Sequence, residues 1–457
     1  MFGKSMTRDM TRGNPIKLIL SFAIPIYCGN MMQQLYNVVD TAIVGRGVGT
    51  EALAAVGSTG SIMWMIMGFI FGFTHGFSIA VSQSFGRGDD DRTRKTVYMS
   101  LIFSSVLAVI VSLFGSIYAK NILRLMDTPE EIMADASLYI TIIFAGSIFQ
   151  IMYNILAAIL RAFGNSTVPL IAVIAASFIN VAADILFVMV FKWGVAGAAI
   201  ATVMSNMICV PICAWFLFRI PLMKYKRGDL SWDGHLALTL IKLGLPVGIM
   251  NSITAFGMVL VQSVVNSMGA VCIASFSVAR KIMGMLDQAL SVIGMSLSTF
   301  VGQNIGAGLM ERARKGVRSA AVVTVSCSAI ILAIVIFFGK MIIGIFVDPA
   351  ETEVVKNAYP YMLVCGIMIW TLGFLFLFRF SLQALGDTVI PMFSGLLELA
   401  VRPVVVFCLP ASLGFYRMSI AESATWLLTA IMLGVGYFIR LKKIEQNPDL
   451  VIRRKKT

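Results

Sequence analysis

Charged residues are scarce in this chain. Asp, Glu, Lys and Arg make up 13% of its 457 residues, where soluble domains carry about 25%. With 58% hydrophobic residues, that shortage excludes an ordinary water-soluble domain and points to an all-α polytopic membrane protein. Histidine is rarer still, present only as His75 and His235. None of the seven cysteines (Cys28, Cys209, Cys213, Cys272, Cys327, Cys365 and Cys408) has a histidine at metal-ligand spacing. They read as small buried apolar residues. A nucleotide-binding loop is missing too. Gly86, Gly88, Gly306 and Gly308 are not followed by Lys-Ser/Thr, so they read as tight cytoplasmic turns. No cofactor and no enzymatic activity are expected. Nor is a cleavable signal peptide visible: the first apolar run is too long for a signal h-region.

Long apolar runs are what the chain has instead. They recur near 16–44, 53–85, 97–117, 132–160, 168–190 and 194–218, then near 241–268, 271–301, 317–338, 358–382, 389–409 and 421–439. Each is long enough to cross a bilayer at about 1.5 Å per residue, which predicts twelve transmembrane helices. Lysine and arginine alternate between the loops. With the N-terminus inside, the cytoplasmic sides hold Lys4, Arg8, Arg12 and Lys17; Arg87, Arg92, Arg94 and Lys95; Arg161; Arg219, Lys224, Lys226, Arg227 and Lys242; Arg312, Arg314, Lys315 and Arg318; Arg379; and Arg440, Lys442, Lys443 and 453–456. The outer loops hold far fewer. The bias predicts both termini in the cytoplasm and a multi-pass protein of the cell membrane. It accounts for the net charge of +13 without nucleic acid as a partner.

The two halves are copies of one unit. Val81-Ser-Gln83-Ser-Phe-Gly86-Arg-Gly88 is echoed by Val301-Gly-Gln303-Asn-Ile-Gly306-Ala-Gly308, and Pro25 and Asn30 match Pro246 and Asn251. Met126-Asp127-Thr-Pro129 resembles Val347-Asp348-Pro349, and the segment from Arg161 to Pro169 resembles that from Gln383 to Pro391. The offset is about 221 residues throughout. Two homologous six-helix bundles are expected: an N-terminal lobe at 1–218, a cytoplasmic linker at 219–235, and a C-terminal lobe with a basic tail at 236–457. An even number of spans makes them parallel repeats.

Two acids stand inside apolar spans. In the first span Asn30, Gln33, Asn37 and Asp40 recur at spacings of three or four and share one helix face. In the fifth, Asn180 and Asp184 are spaced i, i+4. A membrane carboxylate costs about 2.5–3.5 kcal/mol on the insertion scale and is by default a functional candidate. Neither span carries Lys or Arg beside its acid. A structural hydrogen-bonded pair is one reading. A coupled titrating pair that binds a proton or sodium is the favoured one. Asn180, Asn154, Thr202, Tyr36 and Asn37 could complete the site with hydrogen bonds or oxygen ligands, or could be helix–helix glue. Gln33, Met32 and Met63 are further candidates for the cavity wall. The copies diverge here: Asp40 corresponds to Val261, Asn180 to Arg402 and Asp184 to Val406.

Other intramembrane charges have blander readings. Glu398 and Arg402, spaced i, i+4, read as an internal salt bridge, with a gate or substrate contact as the alternative. Arg280, Lys281 and Asp287 are ambiguous in the same way. His75 on its apolar helix reads as a hydrogen-bonded core residue.

The whole pattern resembles the multidrug and toxic compound extrusion (MATE) transporters. The features that carry the likeness are two six-helix lobes, the first helix with Pro25 and the run Tyr36-Asn-Val-Val-Asp40-Thr-Ala-Ile-Val-Gly45, the Gln-x-x-Gly-x-Gly turns and the Arg-Ala-x-Gly164 segment. Asp40, Asn180, Asp184 and Thr202 look like the N-lobe cation site of the DinF-like branch. The resemblance implies an antiporter of cationic, lipophilic small molecules against H+ or Na+, working as a monomer by alternating access. It also implies a first helix that bends near Pro25. The acids of the NorM-like branch on the seventh and tenth helices are replaced here by Thr254 and Phe374, so coupling is expected in the N-lobe. A lipid-linked oligosaccharide flippase of the same superfamily is the alternative. Its cavity is cationic, whereas this chain offers Arg280, Lys281 and Arg402 against Asp40, Asp184, Asp287 and Glu398.

Overall fold

The computed structural model describes residues 7–347, 351–410 and 413–447. Among them the fold is wholly helical, as expected: α1 (Pro15–Gly47), α2 (Thr50–Gly86), α3 (Asp90–Leu125), α4 (Glu130–Ala162), α5 (Thr167–Asp184), α6 (Gly194–Phe218), α7 (Gly234–Asn266), α8 (Ala270–Gly306), α9 (Met310–Phe346), α10 (Thr352–Ala384), α11 (Val389–Cys408) and α12 (Tyr416–Gln446). Eleven of these are long and apolar enough to cross a membrane. The twelfth, α8, carries Arg280, Lys281 and Asp287. Asp348 and Pro349 of the second Asp-Pro motif, Lys4 and the basic tail at 453–456 lie outside the described residues.

The helices gather into two compact units. One takes residues 24–241 together with the segment ending at Asp9; the other takes 10–23 together with the chain from Lys242 onward. The linker expected at 219–235 therefore belongs to the first unit, as do the first two turns of α7. The starts of α1 and α7 each fall in the other repeat's unit, shortly before Pro25 and Pro246.

Within each unit the packing follows one scheme. In the first, α4 packs on α2, α3 and α6, and α5 packs on α6. In the second, α10 packs on α8, α9 and α12, and α11 packs on α12. The turns repeat as well. Gly88 and Gly308, and Gly164 and Gly386, all take positive φ. At Gly164 the reason is twofold. Its φ is +80°, and a Cβ there would lie 2.3 Å from the carbonyl oxygen of Arg8, whose N–H donates to the Phe163 carbonyl at 2.8 Å. Only glycine lets the N-terminal segment lie that close.

The starts of α3 and α9 are tied down by matching ionic clamps. At the start of α3, Arg94 pairs with Asp91 three residues earlier and with Asp229 of the linker at 3.1 Å. At the start of α9, Arg314 pairs with Glu311 three residues earlier and with Glu445 at the end of α12. Each repeat thus fastens the end of its sixth helix, or the chain just beyond it, to the start of its third.

Asp233 adds a titratable cap. Its Oδ1 accepts the N–H groups of His235 and Leu236 at 3.1 and 3.0 Å. Those bonds, led by the one from Leu236, with Lys95 at 3.8 Å, hold the carboxyl below its ordinary range. Stability from this cap is therefore fully present above the unfolded pKa and is lost as pH falls through the folded one. Asp233→Ala is expected to cost about 0.5–2 kcal/mol, while Asp233→Asn keeps the cap and loses its acid sensitivity. Unfolding temperatures of the three proteins across the acid range check this. Equal acid sensitivity in wild type and the Asn variant would remove Asp233 as the source.

Candidate functional site

The site in the first unit is assembled by an apolar seal. Ile43 and Val44 of α1, Ala52 of α2, Val195 and Ala198 of α6 and Val188 beyond α5 form one buried cluster, with Tyr139 of α4 and Val181 of α5 packed against it. Gly47 lets the end of α1 come close, since a Cβ there would lie 2.8 Å from Val188 Cγ1. The seal stands one helical turn from Asp40 and from Asp184 along their own helices, so it brings the two acids together. After Asp184 the helix does not stay regular. Ile185–Val190 is π-helical, with Phe191 N–H bonded to the Leu186 carbonyl at 2.9 Å. Such turns often mark functional sites. The matching helix α11 runs as α-helix to Cys408.

The carboxyl groups of Asp40 and Asp184 lie within hydrogen-bonding reach of each other. Asp184 and Asn180 are fully buried, and Asp40 is half-buried. Yet Oδ1 of Asp40, both oxygens of Asp184 and both side-chain polar atoms of Asn180 have no hydrogen-bond partner. Two carboxylates cannot donate to one another. Buried polar groups otherwise find partners, so these atoms single out the two acids and Asn180 as the candidate site. Carboxylate and amide oxygens suit a hard monovalent ion. No group of three or more His, Cys, Asp or Glu that could hold a metal occurs among the described residues.

The remaining candidates separate. Tyr36 stands within electrostatic range of both acids and is hydrogen-bonded to Gln33. Asn154 is half-buried on α4, next to Tyr153, which is itself in range of Tyr36. Thr202 spends its hydroxyl on the Ala198 carbonyl at 3.1 Å. Asn37 is exposed and Met32 half-buried. Met63 packs against the apolar cluster of Ala55, Leu123, Met133, Ile140 and Phe144, which is a packing position. Tyr139 was missed by sequence reading. It lies within range of Asp40, Asp184 and Tyr36, and a lone tyrosine in an apolar span carries no spacing signal. His75 stacks on Phe71 at 6.4 Å.

The charges of the second unit form a ladder. Glu398 holds Arg379 closely and Arg402 at 3.8 Å. Arg402 reaches Glu422 at 3.1 Å, and Glu422 accepts Arg280 at 2.8 Å. The expected Glu398–Arg402 pair exists, but it is the longest rung. Arg379 is corrected by this: read from sequence as a cytoplasmic loop residue, it lies inside α10 and is 6% exposed. Asp287 is in range of Arg280, while Lys281 turns to the Phe346 ring at 5.6 Å.

Comparison with known proteins agrees with the repeat. The MatE family model matches twice, at residues 25–186 and 246–407. The chain is 28% identical to the "Probable multidrug resistance protein YoeA" of Bacillus subtilis, over 72% of this chain and 73% of that one. It is 22% identical to the "Multidrug export protein MepA" of Staphylococcus saprophyticus, over 85% and 87%. Among solved structures, MATE in the bent conformation superposes with a TM-score of 0.88 at 21% identity, covering 96% of this chain and 98% of that one. An outward-facing multidrug resistance MATE family transporter of the MOP superfamily gives 0.89 at 21%, covering 97% and 100%.

Proposed function

Because the chain belongs to the MatE family, and is thus a multi-pass membrane transporter and not an enzyme, we propose that it is a secondary active multidrug exporter. It exchanges cationic, lipophilic compounds for H+ or Na+ by alternating access, as a monomer of the cell membrane. Coupling resides at Asp40 and Asp184, with Asn180 and Thr202 as further oxygen ligands and Tyr36, Gln33, Asn37, Asn154 and Met32 toward the substrate. The observation that carries this reading is the set of buried, unpartnered oxygens on Asp40, Asn180 and Asp184, which an exchangeable cation would satisfy. The drug-export names of the relatives support the cargo class. A flippase for anionic headgroups is disfavoured, since Arg280, Arg379 and Arg402 each already hold a carboxylate.

The test is dye efflux from proteoliposomes under separately imposed pH and sodium gradients. Efflux driven by either gradient, and absent without both, supports antiport and names the ion. Efflux indifferent to both gradients would refute coupling.

The orientation has its own test. With both termini inside, Glu130→Cys beside Thr128 is expected to react with an impermeant thiol reagent added outside, and Asp90→Cys is not. Both positions are exposed. The reverse labelling pattern would overturn the topology.

A further inference from the structure

The second repeat carries the frame of the coupling site without its aspartates. By the repeat register, Arg402 stands where Asn180 stands, Val406 where Asp184 stands and Val261 where Asp40 stands. The same register sets Gly257 opposite Tyr36. A Cβ on Gly257 would lie 3.8 Å from Nη1 of Arg402. Where the first repeat carries a tyrosine, the second thus has a glycine packed against Leu399 and the Arg402 guanidinium.

That guanidinium is set between acids. Arg402 is 4% exposed, with Glu398 at 3.8 Å and Glu422 at 3.1 Å. Glu398 also holds Arg379, and Glu422 also holds Arg280. Asp287 is in electrostatic range of Arg280 and Glu422. Three arginines therefore face three acids, and removing Arg402 leaves one negative charge over. The other groups close to the ladder are the Tyr361 hydroxyl, bonded to Arg280, and the Cys365 thiol near Glu422. From α7 comes Met258, whose sulfur lies 3.5 Å from Arg280 Nη2. In the first unit, by contrast, no ion pair to Asp40 or Asp184 occurs among the described residues.

We propose that the C-terminal repeat holds a monovalent-cation site permanently filled by the Arg402 guanidinium between Glu398 and Glu422, which leaves exchangeable cations to the N-terminal repeat alone. A guanidinium stays protonated at every working pH and is tethered to its helix. It neutralises the acids as a bound ion would and cannot leave down a gradient. This rests on reading Asp40 and Asp184 as the exchangeable site.

The experiment uses full-length protein carrying Asp40→Asn and Asp184→Asn, with and without Arg402→Met. Unfolding temperature is compared in sodium and choline chloride, and proton uptake is measured on a step from alkaline to mildly acidic buffer. Arg402→Met is expected to create binding of one cation per protein that its parent lacks. A sodium-specific rise in unfolding temperature identifies sodium as the ligand, and extra uptake of one proton without it identifies a proton. Either result supports the proposal, and identical behaviour of variant and parent overturns it. If Arg402→Met is recovered poorly, Arg402→Met/Glu422→Gln removes the surplus charge while Arg379 keeps Glu398 and Arg280 keeps Asp287 in range. Restored recovery of that double variant supports the proposal, whereas equal loss assigns the defect to packing and overturns it. Failure of the underlying reading shows elsewhere, as retained efflux in Asp40→Asn with Arg402 intact.

Discussion

Asp40→Asn and Asp184→Asn are each expected to abolish gradient-driven efflux while leaving a folded, inserted protein. Asparagine keeps the size and much of the hydrogen bonding of aspartate but can neither hold charge nor titrate. Asp184 is fully buried and both its oxygens lack donors, and on the antiport reading proposed above these are the atoms that take up the proton or ion. Burying an unpaired carboxylate is costly, so the neutral variants should match or exceed wild type in thermal stability. The two acids face one another, so their effects are coupled and the double variant should be little worse than either single one. Ethidium efflux from energised vesicles at matched protein levels is the measurement. Wild-type efflux from the double variant would show that the pair is structural and that coupling lies elsewhere.

Glu422→Ala is expected to cause the largest loss of stability in the second unit. Glu422 is 5% exposed and joins three helices: it accepts Arg280 of α8 and Arg402 of α11 while standing on α12. Its removal leaves two guanidinium groups short of a counter-charge. Breaking one partner out of a buried ion pair costs about 3–5 kcal/mol. Glu353→Ala is the control, because its bridge to Lys356 at 3.4 Å joins side chains 66% and 74% exposed and exposed pairs are worth about 0–1 kcal/mol. Thermal unfolding and the folded fraction after detergent extraction compare the two. Equal stability of Glu422→Ala and Glu353→Ala would mean that the ladder carries no net stabilisation.

The parts legible in the sequence are those set by local periodicity. A bilayer accepts only segments that satisfy their own backbone, so composition and run length alone give a helical membrane protein with helices close to those observed. The repeat shows because turn glycines and prolines recur at one register. Asn30, Gln33, Asn37 and Asp40, and Asn180 and Asp184, could be grouped because residues three or four apart on one helix share a face.

Contacts between helices distant in sequence were decided by packing. Nothing in the spacing of Asp40 and Asp184 says that they meet. The seal of Ile43, Val44, Val188 and Ala198 does that, and it also brings in Tyr139. Local spacing pointed to Glu398 and Arg402 as partners, but an ion pair forms wherever burial leaves a charge no water, and here α10 and α12 supplied Arg379 and Glu422 at better range. Arg94 and Asp229 are likewise far apart in the chain, and they meet because the linker folds back on α3. The sequence by itself determined the helices, their polar faces and the repeat, since these follow from neighbours along one helix. Which acids meet each other and which meet an arginine depended on the neighbouring helices, and only the tertiary structure decided it.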